Sequence, residues 1–101
     1  MHPQLIQYRT SVDRADENQK LIESVFAELA SVRPPGLRYA VLRAPDAVFY
    51  HLVTFDSETE RSALTGSSSF RAFQAGIRER TADPPRSSEV ILVGNYRLLT
   101  E

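Results

Sequence analysis

A chain of 101 residues with 42% hydrophobic and 25% charged residues has the balance of one ordinary globular domain spanning 1–101, which excludes a disordered or fibrous chain. It contains no cysteine, so a disulfide framework, a thiolate metal cage and a cysteine nucleophile are all excluded. The formal charge is −1, and the eleven arginines and Lys20 are scattered between Arg9 and Arg97, leaving no concentrated positive field for nucleic acid or an anionic membrane.

The first twenty residues hold neither the apolar core of a signal peptide nor a span able to cross a bilayer, so a cytoplasmic location is expected. Residues 4–10, QLIQYRT, alternate with Ile6, Tyr8 and Thr10 on one side, which predicts a short strand. DRADENQKLIESVFAELASV follows as a helix over 13–32, with Asp13 or Asp16 as cap and a stripe of Leu21, Ile22, Val25, Phe26, Leu29 and Val32. Pro34-Pro35-Gly36 ends it. LRYAVLR (37–43) separates Leu37, Tyr39 and Val41 from Arg38, Ala40 and Leu42, and the turn around Pro45-Asp46 joins it in a hairpin to AVFYHLVTF (47–55). Residues 56–67 are polar and lack a period, with Leu64 as the one anchor, and read as a long loop fit to serve as a lid. Ser67 to Ser69 cap a second helix over 70–80, marked by Phe70, Phe73 and Ile77 and stopped by Pro84-Pro85. EVILVGNYRLL (89–99) reads as the last strand, with Gly94 marking a bulge.

The order β-α-β-β-α-β is the ferredoxin-like α+β arrangement, a four-stranded antiparallel sheet with two helices on one face. Two helices cover one face only, yet the third strand is apolar on both: Phe49, Val53 and Phe55 against Val48, Tyr50 and Leu52. The helix-free face is therefore expected to pack on the same face of a second copy, forming a homodimer.

The order of elements, the doubly apolar AVFYHLVTF, the helix FRAFQAGIRER followed by Pro84-Pro85, and the closing VGNYRLL resemble an uncharacterised branch of the antibiotic biosynthesis monooxygenase superfamily, the dimeric α+β barrels. The resemblance implies homodimers with a pocket between sheet and helices. It also implies, for some members, oxygenase activity without cofactor on polycyclic phenols or quinols, and for others haem degradation. The chain departs from the haem-degrading members, which use a tryptophan and a histidine on the second helix; this sequence has no tryptophan, and its second helix has no histidine.

His51, at the centre of AVFYHLVTF, is the candidate general base for a phenolic proton if it faces the helices. The alternative is a core or interface histidine satisfied by hydrogen bonds. Phe49 and Phe73 are candidate walls for a small aromatic ligand, and Asn95 and Tyr96 of the last strand are candidate ligand contacts. His2 and His51 form no H-x-x-x-H or H-E-x-x-H pair, so no metal site is expected, and no cofactor is expected either. There is no G-x-S-x-G elbow and no phosphate loop. RNA-recognition modules share the order of elements, but the third strand lacks the preceding K/R-G and the chain is not basic, so nucleic acid is not an expected partner. The function expected is that of a small-molecule-binding homodimer, either an oxygenase acting on an aromatic or polyketide-like substrate, or a non-catalytic ligand-binding or dimerisation protein of the same fold.

Overall fold

The computed structural model describes residues 3–98. His2, and Leu99 at the end of the expected last strand, lie outside them. Strands β1 (Gln4–Thr10), β2 (Leu37–Ala44), β3 (Val48–Phe55) and β4 (Thr81–Glu89) form one antiparallel sheet in the order β2-β3-β1-β4. This is the ferredoxin-like α+β order expected from the sequence. Helices α1 (Ala15–Val32), α2 (Glu58–Thr65), α3 (Ser68–Ala75) and the single turn α4 (Ile77–Arg80) supply the rest. Ile22 and Val25 of α1, Leu64 of α2 and Phe73 of α3 are buried in one core with Tyr8, Phe49 and Val53 from the sheet. Each such apolar side chain contributes roughly 1.5–3 kcal/mol by leaving water.

Helix α1 starts later than its acidic residues suggested. A 3-10 turn at Val12–Arg14 precedes it, and Arg14 at the N-cap makes no side-chain cap bond. Asp16 accepts from Arg43 of β2 instead, at 3.0 Å. Arg33 closes the helix in the left-handed region (φ 54°), its N–H reaching Leu29 O, just before the two prolines. Val32 is exposed, so the apolar stripe ends at Leu29.

Three elements differ from expectation, and the first is the helix over 70–80, which begins at Ser68 and breaks at Gly76 into α3 and α4. Residues 58–65 are helical, not loop: the Ser57 hydroxyl accepts from Thr59 N–H and donates to Glu60, and Leu64 is buried as the anchor. The last strand lies over 81–89, which contains both prolines, while 90–98 leave the sheet without regular structure. The reason is the edge. β4 pairs only with β1, and the register jumps from Gln7↔Arg86 to Arg9↔Asp83, so Pro84 and Pro85 fall in a bulge opposite Tyr8 where no N–H is required. An ion pair between Arg9 and Asp83 at 2.8 Å spans the resumed ladder. Gly94 lies in the tail with open space around it, so it marks no strand bulge.

Candidate functional site

Cross-strand register settles which way His51 points. It lies opposite Ile6 of β1 and Val41 of β2, on the face that carries Tyr8, Tyr39, Phe49 and Val53. That is the helix side, where Phe73 of α3 packs 5.6 Å from the imidazole, ring centre to ring centre. A cavity of about 530 Å³ opens there between sheet and helices. Tyr8, Tyr39 and His51 form its polar floor, and Val53, Phe55, Leu64, Phe70, Phe73 and Ile77 contribute apolar wall. Arg61, Thr65, Gln74 and Ser87 bring polar groups to the lining, with the Arg61 guanidinium 4.6 Å over the Phe55 ring.

His51 is 4% exposed and both its ring nitrogens are engaged: Nε2 with the Tyr8 hydroxyl and Nδ1 with the Tyr39 hydroxyl, each at 2.8 Å. The partners are diagonal, two residues along each neighbouring strand, which is within reach of long side chains. Burial lowers the imidazole pKa from 6.5 to about 4, so the ring is neutral at physiological pH. Burial likewise raises Tyr8 to about 12, against the hydrogen bond from Asn18, and pushes Tyr39 up, so both phenols stay protonated.

The network continues into α1 and α4. Asn18, with 0% exposure, donates from Nδ2 to the Tyr8 hydroxyl at 2.9 Å. Its Oδ1 accepts from Arg80 Nε at 2.9 Å, and Arg80 Nη2 donates to Phe73 O at 2.6 Å. Arg80 is 2% exposed. Burial lowers its pKa, yet a guanidinium keeps its proton in proteins. The cation therefore sits inside the fold, answered by Phe73 O near the C-terminal end of α3 and by the Phe73 ring face.

Of the five residues singled out from the sequence, the structure brings His51 and Phe73 to the cavity. Phe49 lies against Tyr8, stacked at 5.5 Å, and supports the floor without lining the cavity. Asn95 and Tyr96 are on the tail after β4. Asn95 lines a second hollow of about 720 Å³ between the tail and the helix-free face, and its Oδ1 accepts from Leu98 N–H. Tyr96 is 85% exposed. Tyr8, Tyr39, Asn18 and Arg80 complete the buried network. Asn18 and Arg80 had a readable signal, since each interrupts an apolar helical stripe, Ala15-Asn18-Ile22-Val25 and Phe73-Ile77-Arg80. Among the described residues no group of three His, Asp or Glu side chains is placed to hold a metal ion, and no helix is long and apolar enough to cross a membrane.

A sheet with this strand order and helices on one face is the fold of solved structures named as antibiotic biosynthesis monooxygenases. The Nitrosomonas europaea protein named "Putative antibiotic biosynthesis monooxygenase" superimposes with a TM-score of 0.74 at 15% identity, over 95% of this chain and 100% of that one. A Caulobacter crescentus protein of the same name gives 0.73 at 18% identity, over 88% of this chain and 86% of that one. Rv0793 from Mycobacterium tuberculosis gives 0.73 at 11% identity, covering 93% and 96%. Identities this low show the fold alone. No family model matches the chain, and no curated protein matches it.

Proposed function

We propose that the protein is a homodimeric small-molecule-binding protein whose helix-side cavity takes a small, planar aromatic or polyketide-like molecule. The observation that carries this reading is the cavity of about 530 Å³, apolar on its walls and floored by three hydrogen-bonding rings. Its size falls within the roughly 300–1,000 Å³ of small-molecule pockets, and convergence of a few polar groups in an apolar hollow is their usual make-up. His51 and Phe73 are the proposed ligand-site residues, with Phe49 beneath them; Asn95 lines the hollow on the opposite side of the sheet and Tyr96 is exposed on the tail.

A second copy is proposed to cover the helix-free face. Leu42 is 59% exposed there, Leu5, Tyr50 and Leu52 are only half-buried, and the tail presents Ile91, Val93, Tyr96 and Leu98 to solvent. Apolar surface on this scale is characteristic of a protein interface.

A second reading, an oxygenase that acts on phenols or hydroquinones without metal or flavin, would use the hydrogen-bonded His51–Tyr39 pair at the cavity floor. It draws on the names of the structural neighbours. Calorimetric titration of a panel of phenols, hydroquinones and quinones, run beside oxygen-electrode traces, tests both. Binding without oxygen uptake supports the binding protein. Uptake that disappears in His51→Gln supports the oxygenase, and a panel that neither binds nor consumes oxygen contradicts both.

A further inference from the structure

The hydrogen-bond chain through His51 has a direction, and its far end sets it. Arg80 has donors only, so its Nε proton goes to Asn18 Oδ1. The amide is thereby turned so that Nδ2 donates to the Tyr8 hydroxyl. Tyr8 is buried, and among the described residues the acceptor that its own proton reaches is His51 Nε2, at 2.8 Å. A neutral imidazole that accepts at Nε2 carries its proton on Nδ1. That proton goes to the Tyr39 oxygen, again at 2.8 Å. Tyr39 is therefore an acceptor within the chain, and its O–H is left for the cavity that it lines.

We infer that Tyr39 is the ligand-orienting donor, and that the ligand is an aromatic molecule with an acceptor oxygen, such as a quinone carbonyl, at the end that meets the cavity floor. This deepens the binding reading above and rests on it. Arg80, Asn18, Tyr8 and His51 are positioning residues that act through Tyr39. Each link is polarised by the one before it, starting from a fixed cation, which strengthens the terminal donor. In this arrangement His51 holds the Tyr39 oxygen and does not take a proton from the ligand.

Two measurements test the assignment. Long-range proton–nitrogen NMR of the labelled protein reports which His51 nitrogen bears the proton. Nδ1–H is expected, and Nε2–H overturns the chain without any ligand present. The second is calorimetry with 1,4-naphthoquinone, naphthalene and 2-naphthol as probes. Tyr39→Phe is expected to weaken naphthoquinone binding roughly 3- to 10-fold, the size of one neutral hydrogen bond, and to leave naphthalene within about 2-fold. Asn18→Asp keeps the shape but turns a donor into an acceptor, so the chain should invert: His51 becomes Nε2–H, naphthoquinone weakens as in Tyr39→Phe, and 2-naphthol, which brings its own proton, does not. Should Asn18→Asp fail to fold, the wild-type spectrum and Tyr39→Phe still decide. Naphthoquinone and naphthalene bound equally well with and without the Tyr39 hydroxyl contradict the inference alone. Wild-type protein that binds none of the three contradicts the binding reading and the inference with it.

Discussion

His51 carries a pH signature that follows from its burial. Its folded pKa of about 4 lies below the 6.5 of an exposed imidazole, so between these values the unfolded chain binds the extra proton. Stability should therefore rise with pH through that window and flatten above it, by up to about 3 kcal/mol from this residue. Urea unfolding from pH 4 to 8 checks it: the slope is expected in wild type and largely absent in His51→Gln, and equal slopes would remove burial as its cause. Arg80 is the other residue whose loss should be severe. Arg80→Ala leaves Asn18 Oδ1 and Phe73 O unsatisfied and opens a void in the core, a cost of about 3–5 kcal/mol, readable as a lowered urea midpoint. The sequence showed His51 as an odd residue in an apolar strand, while Asn18 and Arg80 passed unread although each is a polar break in an apolar helical stripe. It did not show that these meet, because Tyr8 and Tyr39 reach the imidazole through a diagonal register fixed only when three strands pair.

At the scale of elements, local signals succeeded where chemistry was local. The stop at Pro34-Pro35, the turn at Pro45-Asp46 and the serine cap of α3, where Ser67 Oγ accepts from Phe70 N–H, all stand where the sequence put them. The helix over 58–65 was read as loop, although Ser57 and Glu60 have the S-x-x-E spacing of a helix start. The final strand was placed too late in the chain. EVILVGNYRLL has the higher strand propensity, but pairing with β1 selects TADPPRSSE, because an edge strand tolerates proline and tertiary pairing outweighs propensity. Gly36 shows a constraint of the same order. Its φ of +80° favours glycine, and a Cβ there would lie 2.9 Å from Asp56 Oδ2. Gly36→Ala is expected to cost about 1–3 kcal/mol, seen as a lower melting temperature, while Gly94→Ala, in open space, should change nothing measurable.

For the whole molecule, the apolar pattern on both faces of β3 led to the helix-free face as an interface, and Leu42, exposed at the far end of that face, gives it a direct probe. Light scattering is expected to return twice the 11.4 kDa of one chain, and Leu42→Arg to move it toward the monomer. A standard interface buries about 1,600 Å² in total, and one buried unpaired charge weakens it strongly. The central claim, that ligand enters on the helix side over the His51 floor, is tested most directly by backbone NMR of the labelled protein titrated with 1,4-naphthoquinone. Shifts concentrated at Leu64, Phe70, Phe73 and Ile77 are the result expected. Shifts confined to Arg38, Leu52, Val90 and Leu98, on the opposite side of the sheet, would contradict it.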